Sequence, residues 1–346
     1  MKKILFVIHS LKNKGGIERV AIELANSLCQ FYDVTILCQI AHKTPYFVDS
    51  RVKIIYVDAK GLFLLFRFKQ YMESNYFDFI LVHSMTKLTT GLLALGFRHN
   101  NFNTLEHTSF LLTKNKILIL LKKILYKYIK TIIVLTNSDK IEYDKFHDNV
   151  VVIRNSSPFK IKKNKIKTSN KIIAVGSLNK IKGFERLIKA WAIIEKNSKN
   201  FNIEIYGKGE ENKTLNNLIK KLKLKKIFLK GNIEDIEDIY KESSFFVMTS
   251  YYEGLPMVLI EAQTFGLPIV AFNCPFGPSE IVNNEYDGYL VKNNDINEFS
   301  NKMKFLIDNP DIIEKFSNNA LKSAERFTKD KIILQWIKLI ENGKIK

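Results

Sequence analysis

The sequence offers little from which a metal or redox centre could be built. It has only three cysteines, Cys29, Cys38 and Cys274, and they form neither a CxxC pair nor a metal-ligand spacing. HExxH, a strict DxD and a histidine cluster are missing as well. This cysteine usage is typical of proteins kept reduced in the cytosol. We therefore expect a cytoplasmic protein with no metal site and no bound cofactor.

Long hydrophobic runs and common nucleotide signatures are also missing. No apolar stretch approaches the roughly 20 residues that span a bilayer. Lysines precede an apolar run at the N-terminus, but the run is short and lacks a small-residue cleavage site, so we interpret it as a first parallel strand. The first glycine turn, at Gly15 and Gly16, matches neither GxGxxG nor GxxxxGK[ST]. The sequence therefore does not support a dinucleotide oxidoreductase or a P-loop NTPase.

Acidic residues are scarce relative to basic ones. The chain has 54 lysines and arginines against 35 acids, a net charge of +19, and residues 1–165 carry +14 of it. Such a bias attracts an anionic partner, and the candidates are nucleic acid, anionic lipid headgroups and a diphosphate-linked substrate. Drift in composition toward lysine is the alternative explanation.

The residues that are present predict two α/β domains. Hydrophobic residues make up 46% of the 346 positions, which is enough for two ordinary cores. Strand and helix patterns alternate, and KILFVIHSLKNKGGIERV from Lys3 is echoed by KIIAVGSLNKIKGFERLI from Lys171. We expect two Rossmann-like, doubly wound domains over residues 1–160 and 161–329, joined by a lysine-rich linker. A terminal helix over residues 330–346 is expected to pack back on the first domain.

The stretch from Phe245 to Phe265 is the candidate centre of function. Its apolar start predicts a buried strand, a polar loop with Glu253 follows, and then comes a helix with Pro256 in its first turn and Glu261 in its second. Gly266 and Pro268 would end this helix. A helix N-terminus suits a diphosphate, and carboxylates accept hydrogen bonds from hydroxyls, so a sugar nucleotide fits both. The alternative is that Glu253 only complements the helix dipole and that Glu261 lies on the solvated side of the helix.

The string EGLPMVLIE, followed by AQTFGLPIVAF, resembles the Glu-x7-Glu signature of retaining glycosyltransferases of the GT-B type, which are similar to family 4. Bacterial capsule, lipopolysaccharide and teichoic-acid enzymes belong to that group. The resemblance implies two Rossmann-like domains facing a central cleft, with the acceptor on the N-terminal side and the donor on the C-terminal side. It also implies metal-independent transfer of a hexose or N-acetylhexosamine from a UDP-sugar to a lipid-linked glycan.

The same resemblance implies roles for individual residues. Glu253 would hold donor-sugar hydroxyls, His107 in the string TLEHT would lie beside the sugar, and Lys182 would contact the donor diphosphate. Ser177 follows Gly176 where the family usually has arginine, and Lys180 is the candidate replacement. Glu261 would bind the ribose hydroxyls of the donor. The other implied donor-binding residues, besides Lys180, are Gly15, Gly16, Gly254, Leu255, Pro256, Gly209 and Ile233.

One segment of the N-terminal half is a candidate for contact with a membrane. Residues 114–130 predict a basic amphipathic helix, which could lie in a membrane interface. The segment Gly61 to Met72 is unusually apolar and aromatic. A helix packed on the sheet with a solvated lysine face is the alternative for residues 114–130. Family members with lipid-linked acceptors commonly attach to membranes through this domain, so the resemblance implies a peripheral location on the inner face of the cytoplasmic membrane. The apolar positions are Ile117, Leu121, Ile124, Leu125 and Tyr128, and the basic ones are Lys123, Lys127 and Lys130.

Two other functions stay open on the sequence alone. A UDP-sugar epimerase of the same fold would consume its substrate without an acceptor. A nucleic-acid-binding protein would use the net charge of +19, although no RRM, KH or helix-turn-helix pattern is recognisable, and we expect no nucleic-acid partner.

Overall fold

The computed structural model describes residues 1–12, 16–39, 44–84, 87–161, 169–198, 200–233 and 235–343. The chain divides into two compact units, Met1–Asn155 with Lys329–Lys346 and Ser156–Thr328. The first boundary falls earlier than residue 160 because Ser157 is bonded within the second unit. Its backbone N–H donates to the carbonyl of Phe327 (2.8 Å), and its hydroxyl lies 2.8 Å from that of Thr264. Residues 162–168 of the expected linker lie outside the described part of the chain.

The N-terminal unit is built on one parallel sheet. Its strands are β1 (Lys3–Ile8), β2 (Asp33–Gln39), β3 (Lys53–Val57), β4 (Phe79–Ser84), β5 (Phe102–Glu106), β6 (Thr131–Val134) and β7 (Val150–Val152). They lie in the order β3-β2-β1-β4-β5-β6-β7. Such an order, running outward in both directions from the first strand, is the doubly wound arrangement.

Helices connect these strands and cover the sheet. They are α1 (Gly16–Leu28), α2 (Gly61–Ser74), α3 (Leu88–Ala94), α4 (Lys116–Leu125) and α5 (Asn137–Asp144). Residues from α2, α3 and the sheet share one buried apolar cluster, and every residue of β4 and β5 is buried. Strands covered on both faces carry apolar side chains in both directions, which explains the apolar run at the start of β4. Strand β5 instead buries Asn103, Thr104 and Glu106, whose side chains are hydrogen-bonded within the unit.

The C-terminal unit repeats the plan. Its strands are β8 (Lys171–Val175), β9 (Asn202–Tyr206), β10 (Ile227–Gly231), β11 (Phe245–Met248), β12 (Ile269–Asn273) and β13 (Gly288–Lys292), in the parallel order β10-β9-β8-β11-β12-β13. The helices are α6 (Phe184–Ile194), α7 (Asn212–Lys221), α8 (Glu237–Lys241), α9 (Met257–Thr264), α10 (Pro278–Ile281), α11 (Ile296–Asp308) and α12 (Pro310–Ala324). The predicted pair of Rossmann-like domains is confirmed, and the echoed motif marks the central strand and first helix of each.

The last helix, α13 (Lys329–Asn342), belongs to the N-terminal unit. Glu341 accepts hydrogen bonds from the Lys2 ammonium (2.7 Å) and the Tyr32 hydroxyl (2.8 Å). Trp336 is buried, so an apolar face of α13 covers part of this unit. The chain therefore completes its first unit with its last helix.

The apolar side of helix α4 faces solvent. We expected this side either to enter a membrane or to pack on the sheet. Ile117, Leu121 and Ile124 are exposed, whereas Lys122 is buried. The ammonium of Lys122 reaches the Glu106 carboxylate (2.7 Å) at the end of β5. Ile117, Leu121 and Ile124 therefore do not pack on the sheet, as the alternative required, whereas its solvated lysine face is present at Lys123 and Lys127. None of the described helices is long and apolar enough to cross a bilayer.

Candidate active site

A glutamate on the loop after β11 is the centre of a small polar network. Glu253 accepts hydrogen bonds at Oε1 from the Lys182 ammonium (2.6 Å) and from the Ser250 hydroxyl (2.6 Å). The side chains of Glu253 and Lys182 are 11% and 25% exposed, so solvent screens this ion pair less than a pair on the open surface. The two donors hold the carboxylate in one orientation.

A tight turn between β8 and α6 delivers Lys182. The Asn179 side chain accepts a hydrogen bond from the Lys182 N–H (3.2 Å) and so caps the turn. Gly183 follows with φ of +60°, and a Cβ at this position would lie 2.3 Å from the carbonyl oxygen of Thr249. Only glycine combines this backbone conformation with such a close approach. The turn can therefore contact the loop that carries Glu253.

A second loop supports Glu253 from the strand β12. The backbone N–H of Glu253 donates to the Pro275 carbonyl (3.4 Å). Gly277 has φ of +88°, and a Cβ on it would lie 2.2 Å from the Gly254 carbonyl oxygen and 2.5 Å from the Pro256 ring. A larger residue at position 277 would displace the loop.

Helix α9 begins directly after the proline that we placed in its first turn. Pro256 has ψ of 100° and is the N-cap, so Met257 is the first helical residue, and Leu255 before it is buried. Glu261 is 5% exposed, and its Oε2 accepts a hydrogen bond from the Tyr240 hydroxyl (2.9 Å). The alternative that placed Glu261 on a solvated side is therefore wrong. Gly266, with φ of +72°, ends the helix as expected.

The other predicted donor residues of this unit lie where neighbouring strands end. Lys180 is exposed in the turn after β8, and Ile233 follows β10. A Cβ on Gly209, after β9, would lie 2.2 Å from the carbonyl oxygen of Leu178, so this glycine allows the loops after β8 and β9 to touch. The carboxyl ends of parallel strands meet at one edge of a sheet, and that edge is where doubly wound domains bind ligands.

His107 in the N-terminal unit forms a pair with a histidine that we did not predict. His107 follows β5, His83 lies in β4, and His83 Nδ1 is 3.1 Å from His107 Nε2. Burial lowers the pKa of His107 to about 4, against the opposing effect of the Glu106 carboxylate, and lowers that of His83 well below its ordinary value. Both rings are therefore neutral near pH 7, and one donates to the other.

The paired glycines after β1 give less information. Gly15 lies outside the described residues. Gly16 is the first residue of α1, is exposed, and would have no atom within 4 Å of an added Cβ. Steric pressure from the described residues does not explain a glycine at position 16.

Several residues in these networks escaped the sequence analysis. They come from different strands and helices, so no spacing along the chain connects them. Strand ends offered one signal, because Ser250 and His83 both stand at or just after the carboxyl end of a predicted parallel strand. Within the described residues no group of three histidine, cysteine or acidic side chains could hold a metal ion. The missed residues are His83, Tyr240 and Ser250.

Two family models match consecutive parts of the chain. The model of glycosyltransferase family 4 matches residues 14–156, and that of glycosyl transferases group 1 matches residues 156–323. An uncharacterized glycosyltransferase of Haemophilus influenzae is 34% identical over 97% of this chain and 99% of its own length. The chain belongs to the glycosyltransferases. The predicted likeness to family 4 is confirmed, and the two models meet at residue 156, where the chain passes from one unit of this glycosyltransferase to the other.

Further relatives match over nearly the whole glycosyltransferase. The amylovoran biosynthesis glycosyltransferase AmsD of Erwinia amylovora is 32% identical over 97% of this chain and 99% of its own. An α-1,4-N-acetyl-D-galactosaminyltransferase of Campylobacter jejuni, whose name gives a diphosphoundecaprenol-linked glycan as its substrate, is 27% identical over 99% of both chains.

A solved structure shows the same fold. HepE of Anabaena, in complex with UDP and glucose, aligns with a TM-score of 0.83 at 18% identity and covers 99% of this chain and 100% of its own. This glycosyltransferase therefore has the predicted GT-B fold.

Proposed function

We propose that this glycosyltransferase transfers a hexose or N-acetylhexosamine from a UDP-sugar to a lipid-linked glycan, with retention of anomeric configuration. The observation that carries the proposal is the pair Glu253 and Glu261 on either side of the start of α9. Each carboxylate is largely buried, and each is held by its own donors, Lys182 and Ser250 for the first and Tyr240 for the second. Carboxylates fixed in this way form strong, directional hydrogen bonds with hydroxyl groups.

The contacts of Glu253 and Lys182 leave atoms for a donor. Within the described residues both hydrogen bonds to the Glu253 carboxylate fall on Oε1, which leaves Oε2 for a sugar hydroxyl. An ammonium has three N–H bonds, and Lys182 directs one of them to Glu253. The other two can reach a diphosphate, together with the first backbone N–H groups of α9.

This arrangement supports a metal-independent reaction. The bond between the anomeric carbon and the diphosphate breaks, and the acceptor oxygen bonds to the same face of an oxocarbenium-like sugar. The departing phosphate takes the acceptor proton, and Lys182 with the α9 amides stabilises the charge that develops on it. Glu261 binds the ribose hydroxyls, and neutral His107 hydrogen-bonds the sugar.

Relatives support the choice of substrates. HepE is described with UDP and glucose, which favours a UDP-linked donor. The Campylobacter relative takes its name from an undecaprenol-linked glycan, and AmsD from amylovoran biosynthesis. We therefore propose a role in capsule, lipopolysaccharide or related surface-polysaccharide synthesis at the inner face of the cytoplasmic membrane.

A ligand screen tests the donor. We expect a UDP-sugar to raise the melting temperature more than a GDP-sugar does, because a ligand that binds only the folded state stabilises it. The selected donor is then incubated with undecaprenyl-diphosphate-linked N-acetylglucosamine as a probe acceptor. Transfer with a retained anomeric coupling in the product NMR spectrum is the expected result. Conversion of the UDP-sugar without any acceptor would instead identify an epimerase.

A surface of the N-terminal unit supports the membrane part of the proposal. Leu62 on α2 and Ile117 on α4 are 69% and 70% exposed, and α3 contacts both helices. Residues 111–130 contain six lysines and no acid. We name this the α2–α4 surface, and its chemistry fits a bilayer that combines an apolar interior with anionic headgroups. Its exposed apolar members are Leu62, Phe63, Phe66, Leu111, Ile117, Leu120, Leu121, Ile124 and Tyr128.

Vesicle sedimentation tests this surface. Ile117→Glu with Ile124→Glu places two charges on the α2–α4 surface, and binding to phosphatidylglycerol vesicles should be lost because buried apolar area and charge attraction both fall. Leu334→Glu is the matched control, since Leu334 is 56% exposed on α13, which packs on α1. Equal binding by the double variant and the control would contradict a membrane role for the α2–α4 surface.

A further inference from the structure

A buried arginine joins helix α6 to the loop that carries Glu253. Arg186 is 3% exposed, and its Nη2 donates to the Thr249 carbonyl. Its Nη1 donates to the side-chain oxygens of Asn293 (2.9 Å) and Asn294 (2.6 Å). The guanidinium therefore connects three segments of the C-terminal unit, namely α6, the loop after β11 and the turn after β13.

Aromatic rings complete the contacts of this guanidinium. Its Cζ lies 3.8 Å from the ring centroid of Tyr251 and 4.5 Å from that of Phe272. Tyr251 also donates its hydroxyl hydrogen to Glu185 (2.6 Å), and its N–H donates to the carbonyl of Ile181 (2.8 Å). Residues 249–251 are thus tied to the start of α6 at several points, only two residues before Glu253.

We infer that Arg186 is a positioning residue that fixes the Glu253 carboxylate for the donor sugar. Glu253 lies four positions after Thr249, so a shift at the Thr249 carbonyl moves Glu253 relative to Lys182. Lys182 and Arg186 flank the same glycine turn, and both of them engage the loop. This inference rests on the proposed role of Glu253.

Lysine cannot replace arginine in this position. The guanidinium is planar, so it donates to groups in several directions while its face lies on an aromatic ring. A lysine ammonium is a compact, strongly hydrated charge on a flexible stem and loses the stacking. We expect Arg186→Lys to keep the fold and to release the loop after β11.

The experiment compares UDP with the UDP-sugar identified by the thermal-shift screen. Arg186→Lys should weaken UDP-sugar binding and lower turnover by on the order of 10²-fold, the effect of a small misplacement of a catalytic group, while binding of UDP alone is unchanged. Hydrogen exchange should increase in residues 249–256. Elsewhere in the C-terminal unit it should increase only in the two other segments that Arg186 connects, the start of α6 and the turn after β13.

Two further variants make the test specific. Asn294→Gly removes one acceptor of Arg186 at an exposed position with φ of +70°, where glycine is well tolerated, and should give a smaller change in the same direction. Arg98→Lys is the control, because Arg98 also lies over an aromatic ring (3.9 Å) and donates to backbone carbonyls, but in the N-terminal unit. It should leave UDP and UDP-sugar binding unchanged.

The outcomes separate this inference from the proposed function. Unchanged exchange of residues 249–256 in Arg186→Lys, or equal weakening of UDP and UDP-sugar binding, would overturn the positioning role. Glu253→Gln should itself lose the preference for the UDP-sugar over UDP. If it keeps that preference, the proposed function of Glu253 fails, whereas the exchange measurement still decides whether Arg186 fixes the loop.

Discussion

Replacement of Lys122 by methionine probes the contact that allows α4 to turn its apolar side outward. Lys122 is fully buried, and its ammonium donates to Glu106 (2.7 Å) and lies 2.8 Å from the Tyr143 hydroxyl. Removal of one partner leaves the Glu106 carboxylate buried without its counter-charge, which costs about 3–5 kcal/mol. For a unit of this size the melting temperature should fall by roughly 6–20 °C. Calorimetry measures the change, and hydrogen exchange of α4 peptides assigns it to the N-terminal unit.

The pH dependence of this loss has a defined sign. Burial alone would raise the pKa of Glu106, but the Lys122 ammonium and the hydroxyls of Tyr143 and Tyr126 lower it below 4.5. The stabilisation is therefore present above about pH 4.5 and is lost as the pH falls through the lower pKa of the folded state. In Lys122→Met burial raises the pKa instead, so the difference between wild type and variant should shrink in acid.

Two comparisons decide whether the buried pair explains the effect. The exposed neighbour Lys123→Met should change stability by less than about 0.5 kcal/mol. Addition of Glu106→Gln to Lys122→Met removes the unpaired charge and should restore part of the loss. A Lys122→Met protein as stable as Lys123→Met at pH 7 would refute the reasoning.

Two further predictions concern the site. Tyr240→Phe removes the hydroxyl that holds the buried Glu261, so it should weaken UDP binding in calorimetric titrations. The same change at the exposed Tyr286 should leave UDP binding unchanged. Equal UDP affinities of the two variants would contradict the ribose role of Glu261. The pKa of His107 lies at about 4 in the folded state against 6.5 as its ordinary value, so stability should decline as the pH falls from about 6.5 to about 4. His107→Gln should flatten that decline in thermal melts, and an unchanged slope would exclude His107 as its source.

The strand and helix pattern could be predicted where a buried strand is one apolar run, which is not true of β5 with its buried Asn103, Thr104 and Glu106. Phe245–Met248 shows such a run most simply, since all four residues are buried and the polar loop follows at once. Gly266 marked the end of α9 for another local reason, because the residue after the helix needs a left-handed conformation that glycine adopts easily.

The direction of α4 could not be predicted, because it depends on a partner in another element, Glu106 at the end of β5. Amphipathic periodicity identifies two sides but does not say which side is buried. Lys122 can be buried because Glu106 pairs with its charge and is itself fully hydrogen-bonded. The four side chains that donate to Glu106 are Lys122, Tyr126, Tyr143 and Thr104. The roles of Arg186 and Tyr240 were hidden for the same reason, since their partners come from other strands and loops.

The most direct test of the central claim is the rate of UDP release from the UDP-sugar and probe acceptor in Glu253→Ala and Lys182→Ala. Loss of a preorganised group that stabilises developing charge costs about 10²–10³ in rate, and we expect losses of at least this size with unchanged thermal melts. Glu298→Ala is the control, because Glu298 also pairs with a lysine of the C-terminal unit, at 3.3 Å, but its side chain is 42% exposed on helix α11. Wild-type rates in both Glu253→Ala and Lys182→Ala would contradict the account.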